Sequence, residues 1–330
     1  MYQALYRKYR PRTFSEVSGQ PHITKTLQNQ LLEGRISHAY LFTGSRGTGK
    51  TSCAKILAKA VNCLHPQNGD PCNECEVCKG IEAGAIMDVL EMDAASNNGV
   101  NDIRDIREKV EYTPSSAKYR VYIIDEVHML SAGAFNALLK TLEEPPAHAI
   151  FILATTEVHK LPATILSRCQ RFDFGRIPPE AIAARLAWIC GQEDMTISNE
   201  AALLIARLAD GGLRDAVSLL DVCASAAREI TEETVISAAG IAGRDHLFEL
   251  WGYIEQRDAA GALRCVDRLH KASCDMGRLC EELISHLRNL MLCKTLGDVT
   301  ELIVCPASEL ERLQQQAAGM TLPAVLHGMD

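Results

Sequence analysis

Residues 44–51 read Gly44-Ser45-Arg46-Gly47-Thr48-Gly49-Lys50-Thr51 and fit the spacing G-x-x-x-x-G-K-[ST]. Three glycines at these positions let the backbone wrap a polyphosphate with its N–H groups turned inward. A lysine at the end of such a loop reaches the β- and γ-phosphates, and the following hydroxyl suits Mg²⁺. A glycine-rich turn could match by chance, so the flanks decide. Residues 38–43 are apolar and aromatic enough for a buried strand, and residues 52–60 carry apolar side chains at helical spacing. A helix starting near Gly49 aims its positive end at the phosphates.

A second constellation supports the first. Residues 118–124 form a β-branched apolar run that ends in Asp125-Glu126. An aspartate at the C-terminal end of a strand beside a phosphate loop reaches the Mg²⁺ shell, and the next glutamate can deprotonate a water. Neighbouring strand residues point to opposite faces, so the two carboxylates are expected to take different roles. The competing structural reading is a pair of helix-capping carboxylates. The run 149–156 reads as a buried strand ending in Thr155-Thr156, hydroxyls that cap a strand or bond a γ-phosphate or the water. Arg168 ends a short helix, as a surface charge or as an arginine offered to a phosphate.

Cys63, Cys72, Cys75 and Cys78 supply four thiolates with C-x₂-C-x₂-C spacing, the number that a closed structural Zn²⁺ site wants. A [4Fe–4S] cluster and free thiols are the alternatives. Asn68, Gly69 and Pro71 make the intervening segment a loop that folds back, and His65 reads as a loop residue.

The 330 residues suggest two or three domains, and an apolar fraction of 47% is enough for real cores. No apolar run approaches the roughly 20 residues that span a bilayer. The basic N-terminus lacks the apolar centre of a signal peptide, so the expected location is the cytoplasm. A net charge of −8 argues against nucleic acid wrapping every face but allows a local basic patch. Thirteen cysteines, an odd number in a long chain, are read as mostly buried thiols and not as a disulfide scaffold.

Residues 6–20 read as an extended basic arm fixed by Tyr9, Phe14 and Val17. Residues 22–32 read as an amphipathic helix ended by Gly34, 87–93 as a strand, and 102–112 as a helix capped by Asn101 or Asp102. Ile103, Ile106 and Val110 face inward on that helix, with Arg104 and Arg107 opposite, paired with Asp105 and Glu108 on spacing alone. From residue 178 strands vanish and helices are expected at 180–192, 199–209, 213–227, 232–239, 246–256, 259–272, 276–296 and 308–318. Boundaries fall near 177 and 242.

Phosphate loop, carboxylate strand, threonine strand and late arginine followed by a helical lid form the layout of AAA+ ATPases. Arg10-Pro11-Arg12-Thr13-Phe14, Gly19-Gln20, the four cysteines, Asp125-Glu126-Val127-His128 and Ser167-Arg168-Cys169 together resemble the bacterial DNA polymerase III γ/τ family of clamp-loader ATPases over essentially the whole chain. The resemblance implies an α/β fold: an AAA+ P-loop core of parallel sheet and helices at 1–177 with a zinc insertion at 63–78, a helical lid at 178–242 and a partial all-α collar at 243–330. It implies ATP and Mg²⁺ at residues 44–51, Asp125 and Glu126 as the metal and water-activating pair, and Thr155 as a first sensor. Arg168 is implied as a finger completing a neighbour's site, and Arg214, in Gly212-Leu213-Arg214-Asp215, as a second sensor. The arm from Tyr9 to Val17 would sit at the adenine, and residues 97–107 would face DNA. Implied partners are the delta and delta-prime subunits, other copies of the chain, the sliding clamp and primer–template DNA, with no membrane. The family collar is longer, so a chain ending at Asp330 is expected to be a fragment, a frameshift product or a shortened form. Three rivals differ in kind. A branch-migration AAA+ motor would lack the four-cysteine insertion. A quiet scaffold would not need Lys50, Thr51, Asp125 and Glu126 together. A zinc module reading nucleic acid would need more cations than Lys79 and His65 beside its loop.

Overall fold

The computed structural model describes residues 3–240, 245–271, 275–296, 298, 299, 302, 303, 305, 307–322 and 325. In chain order its helices and strands begin with α1 (Leu5–Lys8), α2 (Pro21–Glu33), β1 (Ala39–Gly44), α3 (Lys50–Asn62), α4 (Glu76–Glu82), β2 (Val89–Asp93) and α5 (Val100–Val110). They continue with β3 (Arg120–Asp125), α6 (Ala132–Glu143), β4 (Ala149–Thr155), α7 (Ala163–Leu166), β5 (Gln170–Phe174) and α8 (Pro179–Gln192). After these come β6 (Thr196–Ile197), α9 (Asn199–Leu208), α10 (Leu213–Ala226), β7 (Glu229–Ile230), α11 (Glu232–Ala238), α12 (Asp245–Glu255), α13 (Ala259–Lys271), α14 (Met276–Thr295) and α15 (Ala307–Gly319).

The five long strands form one parallel sheet in the order β2-β3-β4-β1-β5. Parallel strands joined by crossover helices are buried on both faces, which explains runs as apolar as residues 149–154. Alternation along each strand divides the core. Leu41 and Tyr122 pack with Ile103, Phe135 and Leu138 of α5 and α6 on one face. Tyr40 and Phe42 pack with Ile23, Leu27, Ile56 and Leu57 of α2 and α3 on the other. All five strands run the same way, so their C-terminal ends share one edge, where α/β sheets bind ligands.

The chain divides into two compact units, Met1–Asp194 with Ala209–Asp221, and Met195–Leu208 with Val222–Asp330. In the second unit Trp251, Leu287, Leu290 and Leu313 share a core. Its helices match the expected ones to within about two residues, but strands do not vanish after 178. β6 and β7 form a two-residue parallel pair. The arm is also not wholly extended: residues 5–8 make a helical turn and Phe14–Glu16 a turn of 3-10 helix. The cap of α5 is neither Asn101 nor Asp102. Gly99 occupies it, and Asp102 accepts the Gly99 N–H at 3.0 Å from inside the first turn. The expected boundary at 242 lies outside the described residues. Among the described residues no helix is long and apolar enough to cross a membrane.

One buried carboxylate fixes the approach to β2 and β3. Asp88 is wholly buried. It accepts N–H bonds from Ser115, Ser116 and Ala117 and an ion pair from Arg120 at 3.0 Å. Burial pushes its pKa up, but the N–H groups of Ser116 and Ser115, the Arg120 guanidinium and the Ala117 N–H outweigh that and carry it down to about 2, from an ordinary 3.8. A depressed carboxylate stabilises the fold above the unfolded pKa and loses that contribution as pH falls through the folded one. Asp88→Asn is therefore expected to cost on the order of 2 kcal/mol near neutrality. In urea unfolding, its deficit relative to wild type should shrink as pH falls from about 4 toward about 2.

Candidate functional site

β1 delivers the chain to the shared strand edge, and the phosphate loop leaves from there. Gly44 has φ +137°, and a Cβ there would lie 2.2 Å from the Phe174 carbonyl oxygen on neighbouring β5. Only glycine lets the loop pass that close. Gly47 (φ +77°) and Gly49 (φ +106°) are also left-handed, and Gly49 caps α3. The Thr48 hydroxyl donates to the Ser45 carbonyl at 2.8 Å, and the Leu213 N–H donates to the Gly47 carbonyl at 3.0 Å. Buried Gln20 ties the sheet edge beside the loop by donating to Gly175 O at 2.7 Å.

The loop opens into a cleft of about 780 Å³ lined by Arg10, Arg46, Lys50, Thr51, Asp125, Glu126 and Arg214 among others. Lys50 is buried, and its Nζ donates at 2.8 Å to the carbonyls of both Gly44 and Ser45. Burial pulls its pKa below the ordinary lysine value, against the nearby Glu126 and Asp125 carboxylates. The Thr51 hydroxyl donates to Asp125 Oδ2 at 2.7 Å, so the two residues expected at Mg²⁺ are already side by side. Arg10 Nε donates to Ser52 Oγ at 3.2 Å, and the Arg214 guanidinium lies 5.1 Å from the Tyr6 ring centre. Val17 and Pro11 of the arm reach the same cleft.

Asp125 and Glu126 do diverge, but for a reason other than strand alternation. β3 ends at Asp125, and Glu126 turns off in the left-handed region at φ +47°, an uncommon conformation for a residue with a side chain. Its carboxylate accepts the Thr156 hydroxyl at 3.0 Å and the Thr156 N–H at 3.3 Å. Thr155 is fully buried and its hydroxyl meets His128 Nδ1 at 3.0 Å. Sequence reasoning used His128 only as part of a motif and missed this contact, along with the Thr156 hold on Glu126 and the Tyr6–Arg214 contact. The Asp125-Glu126-Val127-His128 run was the available signal for the first.

Arg168 is not among the residues that line the cleft. It donates to Thr164 O and pairs with Glu143, both at 2.8 Å. Arg104 is exposed and Arg107 half-buried beside the inward row Ile103, Ile106 and Val110. Among the described residues neither pairs with Asp105 or Glu108, as spacing suggested.

The sulfurs of Cys63, Cys72, Cys75 and Cys78 all lie within 4.8 Å of one another, and none is in a disulfide. Tetrahedral Zn–S bonds of about 2.3 Å place sulfurs roughly 3.8 Å apart, so the cluster fits one zinc ion. Backbone N–H groups of Cys72, Cys75 and Cys78 point at the sulfurs of Cys63, Cys72 and Cys75 at 3.2–3.4 Å. Such bonds favour thiolates. Against burial, the N–H groups of Glu74 and Cys75 help to bring Cys72 down to about 6, while burial raises Cys63 and Cys78. His65 is not in the cluster.

Comparison with known proteins agrees along the chain. Residues 19–178 match a family described as DNA polymerase III, delta subunit. Residues 181–225 match the DNA polymerase III clamp loader subunit, ATPase lid domain, and 230–327 match DNA polymerase III subunits gamma and tau domain III. DNA polymerase III subunit tau of Bacillus subtilis is 55% identical over 295 residues, 89% of this chain and 52% of that protein. Its Escherichia coli counterpart is 48% identical over 250 residues, 76% of this chain and 39% of that protein. DNA polymerase III subunit tau/gamma of Haemophilus influenzae is 42% identical, covering 89% of this chain and 43% of that protein. The chain thus spans about half the length of the curated relatives it matches. Among solved structures, the Thermotoga maritima RuvB Holliday junction branch migration motor aligns with a TM-score of 0.54 at 19% identity, over 76% of this chain and 80% of that one. At that identity the likeness concerns the fold alone.

The glycines give a graded test of the loop. Gly49→Ala meets nothing closer than Val17 at 3.7 Å, so it should cost only the left-handed strain, about 1–2 kcal/mol. Gly44→Ala collides with backbone that cannot move aside, and should cost at least about 3 kcal/mol or fail to fold. Urea unfolding of both variants checks the order; equal midpoints would contradict this exit geometry.

Proposed function

The chain belongs to the bacterial DNA polymerase III γ/τ family, and from that membership we propose that it is an ATPase motor subunit of the clamp loader. ATP binding and hydrolysis would drive opening of the sliding clamp and its loading onto primed DNA. The observation that carries the reading is the Thr51 hydroxyl 2.7 Å from the Asp125 carboxylate, at the mouth of a cation-lined cleft of about 780 Å³. That volume suits a nucleotide, since small-molecule sites run from roughly 300 to 1,000 Å³.

In this reading Lys50 exchanges the Gly44 and Ser45 carbonyls for the β- and γ-phosphates, while loop N–H groups and the α3 N-terminus hold the remaining oxygens. Thr51 and Asp125 would hold Mg²⁺, which when bound neutralises charge on the phosphates. Glu126 leaves Thr156 to orient and deprotonate the attacking water. Thr155 acts as first sensor and Arg214, leaving the Tyr6 ring, as second. Arg168 completes the site of a neighbouring copy; its place off this chain's own cleft is consistent with that. The arm from Tyr9 to Val17 lies at the adenine, and residues 97–107, including Arg104 and Arg107, face DNA. The partners are the delta and delta-prime subunits, further copies of the chain, the clamp and primer–template DNA, in the cytoplasm. The division into 1–177, 178–242 and 243–330 is supported by family matches at 19–178, 181–225 and 230–327.

Zn²⁺ at Cys63, Cys72, Cys75 and Cys78 is structural, because four thiolates leave no open position for water. One equivalent of zinc per chain should be released by mercurial titration of the thiols. Cys75→Ser should lower zinc content and thermal stability together, and a chain that holds iron instead would replace this reading with the cluster.

The motor reading is tested by ATP hydrolysis with and without delta, delta-prime, clamp and primed DNA. Wild type should be stimulated by the mixture. Arg168→Ala should bind ATP as wild type does and lose stimulation about 100-fold or more, as removal of an arginine finger does. Unchanged rates from a mixture that co-elutes on a sizing column would refute the role of Arg168.

A further inference from the structure

One imidazole joins the strand edge to the water-activating carboxylate. His128 sits in the 3-10 turn Val127–Met129 that follows β3, and its side chain is 7% exposed. Nδ1 lies 3.0 Å from Thr155 Oγ1 and 3.4 Å from Glu126 Oε2. Nε2 lies 3.0 Å from Glu157 Oε2. A Lys160 hydrogen bond, together with the Lys160 charge, outweighs burial and keeps the Glu157 pKa below the ordinary value. An ionised carboxylate only accepts, so Nε2 carries the proton. Nδ1 then faces the Thr155 hydroxyl and the Glu126 carboxylate together. The oxygen of that hydroxyl meanwhile accepts the Glu157 N–H at 3.0 Å.

The series carboxylate, imidazole, hydroxyl has the outline of a nucleophile triad, but Thr155 is fully buried and is not among the residues that line the cleft. The series must act on position. We propose that His128 is a positioning residue for ATP hydrolysis, with Glu157 fixing the ring so that it sets both the Thr155 hydroxyl and the place of the Glu126 carboxylate. The inference rests on the ATPase reading above. It reassigns the direct contact of Thr155: its hydroxyl faces the His128 ring, so Thr155 and Glu126 meet at the same imidazole nitrogen. When Glu126 leaves Thr156, the ring is the group that limits where its carboxylate goes.

The test uses the full-length protein assembled with its clamp-loader partners. His128→Gln keeps a donor toward Glu157 but removes the Nδ1 contacts. It should lower kcat about tenfold or more while affinity for a non-hydrolysable ATP analogue stays within about twofold of wild type and the melting temperature within about 4–8 °C. His128→Asn, whose amide oxygen reaches the Nδ1 position, should recover part of the loss. In a Thr155→Val background His128→Gln should add a smaller loss than it causes in wild type, because one of the two Nδ1 contacts it breaks is already gone. An unchanged kcat, the same loss in both backgrounds, or a loss confined to nucleotide affinity would overturn the proposal. Lys50→Ala separates the two levels: if wild type binds and hydrolyses ATP no better than Lys50→Ala, the ATPase reading falls and this inference with it. If Lys50 matters and His128 does not, only the inference falls.

Discussion

A hydrogen bond of 2.7 Å from the Thr51 hydroxyl to the Asp125 carboxylate spans 74 residues and pins the start of α3 to the end of β3. It forms because the sheet is parallel. β4 lies between β1 and β3, with Thr43 opposite Thr155 and Ile124 opposite Leu153, so the three strands end at one edge. A shift of one residue in either pairing would turn every side chain to the opposite face. The apolar sets that bury Leu41, Phe42, Tyr122 and Ile123 on alternate sides forbid that shift. The core therefore acts on the chemistry indirectly. Its packing fixes the register, the register brings Thr51 and Asp125 together, and the rest of the cleft is arranged around that pair.

What the sequence disclosed and what it hid divide along contact distance. The phosphate loop, the four-cysteine spacing and the helices after 178 are written in near neighbours, and their bounds were legible to within about two residues. The strand end at Asp125 was legible too, because a β-branched run stopping at a carboxylate is a local pattern. The left-handed turn at Glu126 was not, because no glycine or asparagine announced it. Thr156 reaches Glu126 across 30 residues and His128 reaches Thr155 across 27, contacts that exist only once β3 and β4 are paired. The cap of α5 was misplaced by two or three residues for a smaller reason. Asp102 suits a cap, but it serves from within the first turn while Gly99 stands at the end. Arg104 and Arg107 had obvious partners by spacing, yet an exposed ion pair gains little over solvation, so spacing alone did not secure it.

Three cations of the cleft have a partner within the chain. Lys50 is held by two carbonyls, Arg10 by Ser52 and Arg214 by the Tyr6 ring. Arg168, away from the cleft, is held by Glu143. Burying an unpaired ammonium is costly, so a site that concentrates positive charge must satisfy it before any ligand arrives. Ligand binding at such a site exchanges partners and does not create contacts from nothing. Only the difference between old and new partners contributes to affinity. A phosphate oxygen replacing a carbonyl puts a charge on the acceptor as well as on the ammonium donor, which strengthens the bond.

The cysteine module belongs to the same arrangement. Its segment buries little apolar surface beyond Pro71, Val77 and Cys78, too little to hold a loop of this length by packing alone. Its side chains nevertheless support the arm. Asp70 accepts the Phe14 N–H, Asn73 donates to the Arg12 carbonyl, and Lys59 of α3 reaches both Asn73 and Glu82. Lys59 is 2% exposed, so leaving it without those partners would strand a buried charge beside the phosphate-loop helix. A group bound by all four sulfurs would therefore keep Asn73 in place for Lys59. It would also keep Arg12 and Phe14 in place for the arm, and with them Arg10 and Pro11 in the cleft. The four thiols, set apart from the cleft, bear on it through the backbone they anchor.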